Sequence, residues 1–162
     1  MLGKKKVILL MVVLPWCSLP FLGVRSIKRY LPGALFMSCF LLAEGLIAEK
    51  KRWWRFFGKY KPNVLGEIPL IIGPFFIGSL WILKYTYGKF KRYMAVNTIV
   101  DSFFIYLVLI YFKKINYASL VRLKKFQLSM IFLIKSISMY GFQFLFEKLF
   151  TRPKSKSTLP DD

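Results

Sequence analysis

Long apolar runs alternate with short basic clusters along this chain, and the alternation repeats five times. Apolar stretches occupy residues 7–24, 31–48, 64–83, 94–112 and 128–150, with Lys, Arg and aromatic residues in the links between them. An apolar run of about 18 residues covers roughly 27 Å as a helix, just enough to cross the hydrocarbon layer of a bilayer. The pattern therefore predicts an all-α fold: a polytopic transmembrane helix bundle of about five membrane-spanning helices, forming one domain over residues 1–150. Four spans is the alternative, should residues 7–24 fail to cross fully. Residues 151–162 are polar, hold two prolines and are expected to be a disordered tail.

Within the first run, Lys4, Lys5 and Lys6 ahead of Val7 look like the head of a secretory signal peptide, but no small-residue cleavage site follows. The first alanine is Ala34, and bulky Trp16 spoils a lipoprotein-type site before Cys17. An uncleaved span is expected, bent near Pro15 and Pro20, where helix hydrogen bonds are lost, and closed by Arg25, Lys28 and Arg29. In the second run Ala34, Ser38, Gly45 and Ala48 make a stripe of small residues suited to close approach by another helix. Pro69, Gly73, Pro74 and Gly78 interrupt the third run, so its backbone should depart from a straight helix and its freed carbonyls need partners.

Composition supports the same solvent. Hydrophobic residues make up 56% of the 162 and the mean hydropathy is +0.48, more apolar surface than a water-soluble domain of this length could enclose. Lys and Arg number 26 against 7 Asp and Glu, a formal net charge of +19. These cations flank apolar runs, where they meet phospholipid phosphates, rather than gathering on a separate module that could grip a duplex, so nucleic acid is not an expected partner. If the first link is on one side, the links fall 14 Lys and Arg on the N-terminal side and 11 opposite, a slight bias that puts the N-terminus in the cytoplasm.

The link at residues 50–61, KKRWWRFFGKYK, reads as an interfacial amphipathic segment, with Trp53, Phe56 and Phe57 on one helical side and Lys51, Arg52, Arg55 and Lys59 on the other. Lys51, Arg52, Trp53, Trp54, Arg55 and Lys59 are therefore candidates for contact with acidic lipid headgroups, an ordinary interfacial anchor being the plainer reading.

Ionisable residues inside apolar runs are costly and become functional candidates by default. Glu44, Glu67, Asp101 and Lys135 fall one in each of the second to fifth runs. Asn97 lies one helical turn before Asp101 on the same face, and Lys135 is the expected partner of that carboxylate. Ser129, Ser136, Tyr140, Gln143 and Glu147 form a polar stripe along the fifth run, with Gln143 among the candidates. Glu67 has a plain explanation at a helix start, with Asn63 as a cap. Glu44, near a helix end, has none.

Histidine is absent, and Cys17 and Cys39 lie in separate runs, where they read as small buried fillers. Ser–His proteolysis, His-based phosphatase chemistry, haem ligation and the common zinc sites all lack their ligands, and no P-loop or dinucleotide motif is present. No cofactor or metal is expected, and an enzyme is not, although a carboxylate-only mechanism on Glu44 and Glu67 stays open.

Gly66-Glu67-Ile68-Pro69, Gly73-Pro74-Phe75-Phe76, the run from Trp81 to Gly88, Asn97 with Asp101, Leu120-Val121-Arg122-Leu123 and Tyr140-Gly141-Phe142-Gln143 carry a resemblance. Over about three-fifths of its length the chain resembles a group of small, uncharacterised multi-pass membrane proteins of spore-forming Gram-positive bacteria. The resemblance implies a bacterial plasma membrane and no assigned activity. The leading expectation is a non-enzymatic membrane component that packs with itself or with another membrane protein. The alternatives are a small ion- or solute-coupled transporter using intramembrane carboxylates, and a protein that binds anionic lipid.

Overall fold

A computed structural model describes residues 3–57 and 62–151; the candidate Lys59 and the tail from residue 152 lie outside the described residues. Among them the fold is all-α apart from one short ribbon. Five helices are long and apolar enough to cross a membrane. They are α1 (Lys4–Leu22), α2 (Val24–Lys51), α3 (Ile68–Thr86), α4 (Phe90–Lys114) and α5 (Lys125–Phe150).

The first break differs from the expected basic link. α1 continues through Pro15 and Pro20 and stops at Gly23, whose φ of 78° suits glycine and disfavours any side chain. Arg25, Lys28 and Arg29 then belong to the opening turns of α2. Lys84 of α3 donates to the terminal carbonyls of α1, Phe21 O at 3.3 Å and Leu22 O at 3.0 Å, in the manner of a basic helix C-cap.

α3 is the irregular helix its prolines and glycines foretell. A 3-10 turn at Asn63–Gly66 leads into it, and Ile71–Phe75 widens to a π-helix around Gly73 and Pro74. Trp16 of α1 donates to Ile72 O at 2.9 Å, supplying one carbonyl with a partner that is not the helix itself. A Cβ on Gly73 would collide with the carbonyl oxygen of Met11, so α1 rests directly on the backbone of this widened segment. α4 carries a second π-helical stretch, Phe104–Val108.

The KKRWWRFFGKYK segment departs from the helical reading. α2 ends at Lys51, Arg52 takes a left-handed φ of 53°, and Trp54–Phe56 forms a strand, β1, antiparallel to β2 (Ala118–Leu120). The register pairs Trp54 with Leu120, Arg55 with Ser119 and Phe56 with Ala118. Asn63, expected to cap a helix, instead ties this ribbon down: its Oδ1 accepts from Phe56 N–H and its Nδ2 donates to Trp54 O, while its own N–H donates to Glu49. The Tyr117 hydroxyl adds a bond to Gly66 O at 2.7 Å.

α2 is the central helix. Its buried face, Tyr30, Ala34, Met37 and Leu41, packs with Leu80 and Leu83 of α3 and Met139 of α5. The small-residue stripe is used here: Ala34 and Ala48 are fully buried and Gly45 is pressed by Val64 and Glu67, while Ser38, half-buried, turns its hydroxyl to Ala34 O. Large apolar side chains instead cover the outside, among them Phe21 at 77%, Ile99 at 69% and Leu149 at 74% exposure. Cys17 and Cys39, expected as buried fillers, are exposed on this outer surface.

Candidate functional site

α2 and α5 run antiparallel, and their buried faces meet at two polar stations. In α5 the spacing of Leu128, Phe132, Lys135, Ser136, Met139 and Gln143 keeps one face inward over four turns, which carries a lysine and a glutamine into the interior.

At the station nearer the ribbon, Lys135 Nζ donates to Glu44 Oε2 at 2.6 Å, with the two side chains 2% and 5% exposed. This corrects the expected Asp101–Lys135 pair. Glu44, which had no helix-end explanation, is the lysine's partner, because α5 packs on α2 as well as on α4 and Lys135 points to the α2 side. Its neighbour Ser136 points to α4, where Ser136 O accepts from the Tyr93 hydroxyl at 2.7 Å. Asp101 is half-buried on that α4 side, within electrostatic reach of Lys135 and beside Ser136. Asn97 is buried and donates back to Tyr93 O at 2.9 Å, so it braces its own helix rather than sharing a partner with Asp101.

Glu67 joins Glu44 and Lys135. Placed at the α3 start, it caps nothing with its side chain; the carboxyl turns into the bundle, where Trp54 meets it. A Cβ on Gly45 would stand 2.7 Å from Glu67 Oε2, so only glycine lets that oxygen lie against α2 one residue beyond Glu44. Two carboxylates and one ammonium are thus enclosed together. Among the described residues, Glu44 Oε1 and Glu67 Oε2 are buried without a hydrogen-bond partner.

All three ionisable groups line one cavity of about 50 Å³. A cavity of this size has room for a water or a small ion, since a water occupies about 10–15 Å³ on the same measure. Phe75, Phe104 and Phe132 form its apolar wall, with ring centroids 5.2–6.0 Å apart, and the Lys135 ammonium lies 3.9 Å from the Phe132 ring centre. Phe75 and Phe104 each belong to a π-helical segment, so both widened turns face the charged cavity. Trp54, Phe56, Ser119 and Leu120 of the ribbon close it from the end of the bundle.

Toward the other end, Gln143 is fully buried and accepts from Gly33 N–H at 3.1 Å while donating to Arg29 O and to Glu147. Arg29 grips Glu147 through two bonds, 2.8 and 3.1 Å, the bidentate geometry that fixes a guanidinium best. Tyr87, one residue past α3, sits beside the same carboxylate; burial first, then the Glu147 charge, push its hydroxyl up to about 12, so it stays a neutral donor. No family model, curated protein or solved structure matches this chain.

Of the predicted residues, then, Glu44, Glu67 and Lys135 come together, Asp101 stands beside them, and Gln143 serves the second station. Lys51, Arg52 and Arg55 are exposed at the ribbon end, where Trp53 and Trp54 are half-buried. The aromatic wall was not anticipated; its signal is Phe75 beside Pro74 and Phe132 one turn before Lys135.

Proposed function

We propose that this chain is an integral, multi-pass membrane protein of a bacterial plasma membrane, with five spans, that binds a proton or small cation on the Glu44–Lys135–Glu67 centre and couples that binding to passage of an ion or solute. The outer belt of exposed apolar side chains supports the membrane setting, because a water-soluble monomer does not display such a continuous apolar surface. The helices would then bring the N-terminus and the ribbon to the cytoplasmic face and the C-terminus to the outer face.

One observation carries the ion-binding reading: two buried, unpartnered carboxylate oxygens share a small cavity with one ammonium. With both carboxylates ionised the centre holds an excess negative charge in a medium of low dielectric, and a proton or monovalent cation removes it. The widened, proline-bearing third helix beside the centre supports movement there, since interrupted helices recur at carrier binding sites.

Infrared difference spectra of the protein in lipid, taken across a pH jump, test proton binding directly. The reading requires a carboxylic acid carbonyl band that is lost in Glu67→Gln or Glu44→Gln. A spectrum identical in wild type and both variants removes it. Coupling is tested in liposomes loaded with a pH dye under a potassium diffusion potential, where Glu67→Gln should abolish protein-dependent proton entry.

A second reading, a membrane component that packs against itself or another integral protein, is favoured by α1, whose apolar window is only 6% buried. Co-purification in mild detergent at native expression tests it, and a lone monomer would count against it.

A further inference from the structure

Two grooves on the outer surface run into one another between α2 and α5, and they begin at a cluster of cations. The first, of about 740 Å³, opens at the ribbon end and is lined by Lys50, Lys51 and Arg122, then by Phe126, Met130 and Ile131. The second, of about 390 Å³, shares Trp53 and Ile131 with it and continues past Ile47 and Ala43 to Phe40 and Glu44. Together they make a channel that is cationic at the mouth and apolar below.

We infer that this channel is a binding site for one acidic phospholipid, its phosphate held by Lys50, Lys51 and Arg122 and an acyl chain lying along Trp53, Ile131 and Ile134. Charge complementarity selects the occupant. All three cations are exposed, and none is in an ion pair among the described residues. Lys51 is steered by the Trp53 ring, 5.5 Å from its ammonium, and the positive end of the α5 dipole opens beside Arg122. The backbone holds the mouth in shape: Trp53 O accepts from Val121, Arg122 and Leu123 N–H at 2.9, 3.2 and 3.3 Å.

Length agrees with the chemistry. From Lys51 to Phe40 along α2 is eleven residues, about 16 Å of helix, a depth an acyl chain reaches while its headgroup stays at the mouth. The apolar groove ends beside Glu44, so a bound chain would cover the outer side of the charged centre and shield it from bulk lipid.

This inference rests on the membrane setting proposed above and not on proton coupling. Its test is native mass spectrometry of the full chain released from vesicles of mixed phosphatidylglycerol and phosphatidylcholine, which reads retained lipid and not flux. Wild type should retain phosphatidylglycerol preferentially, and Lys51→Gln with Arg122→Gln should cut that retention about tenfold. Lys113→Gln with Lys114→Gln removes the same charge from exposed positions outside the groove and should leave retention unchanged. Ala43→Trp fills the lower groove without touching a charge and should also lower retention. Equal loss in the two charge pairs, or full retention in Ala43→Trp, would overturn the site in favour of diffuse attraction of acidic lipid to a basic surface. A protein that stays monodisperse without any amphiphile would instead remove the membrane setting itself.

Discussion

The ammonium of Lys135 stands 2.6 Å from Glu44 Oε2, joining α5 to α2 through side chains that are almost wholly enclosed. Burying two charges costs more than their mutual attraction returns unless other bonds help, and here one Glu44 oxygen has no partner among the described residues. Such a pair contributes little net stability, yet removing one member leaves the other charged and alone. Lys135→Met or Glu44→Gln should therefore destabilise the bundle by about 3 kcal/mol. Lys135→Met combined with Glu44→Leu should recover most of that loss, and thermal unfolding in detergent reads all three. A double variant as unstable as the sum of the singles would show that the pair does not act as a unit.

Gly45 sets how close Glu67 lies to α2. A Cβ there meets Glu67 Oε2 and Val64 Cγ2, each at 2.7 Å, so the carboxyl and the 3-10 turn must both shift to admit it. Gly45→Ala should cost about 1–3 kcal/mol, the range for overpacking a close-packed interior. Glu67→Ala in the same chain removes the carboxyl that the methyl strikes, so the double variant should be less destabilised than the two single losses combined. The coupling from that cycle, measured by unfolding, checks the contact without any functional assay.

Gln143 makes its three bonds with complete burial, and Leu has nearly the same volume but no polar group. Gln143→Leu should cost about 2 kcal/mol, since the Gly33 amide, the Arg29 carbonyl and part of Glu147 each lose a partner. Gly33→Ala reaches the same station from the other side, with its Cβ 2.8 Å from the Gln143 oxygen. Both variants should loosen the helix ends at Arg29 and Glu147, seen as faster amide exchange there than at Lys135.

The helices were legible because their signal is local: each apolar run carries its own hydrogen bonds, so length and hydropathy suffice to find five of them. Glu44, Glu67, Lys135 and Gln143 were legible for the same reason, as polar groups in apolar surroundings. Their pairing was not. Asp101 and Glu44 offer Lys135 equivalent charges, and which one it meets depends on the rotation of α5 about its axis, a property of packing against two helices at once. The ribbon was hidden more deeply. KKRWWRFFGKYK has helical amphipathicity, and only pairing with residues 118–120, more than sixty positions away, makes extension the better state. Gly23 likewise hid a chain break among basic residues that look like a link.

Cys39 gives a means of testing the proposed setting with no foreign probe site. It lies near the middle of α2, exposed on the outer surface, and Cys17 is similarly exposed on α1. A thiol reacts as its thiolate, which hydrocarbon disfavours strongly, and a charged reagent does not partition there. In intact membranes both thiols should resist a membrane-impermeant charged thiol reagent on either face, and react fully once the protein is unfolded in SDS. A cysteine placed at Arg122, exposed at the ribbon end, supplies the positive control and should react readily from the face on which the ribbon lies. Rapid labelling of Cys39 by the charged reagent in sealed vesicles would place that face of α2 in water, and with it the apolar belt on which the membrane reading stands.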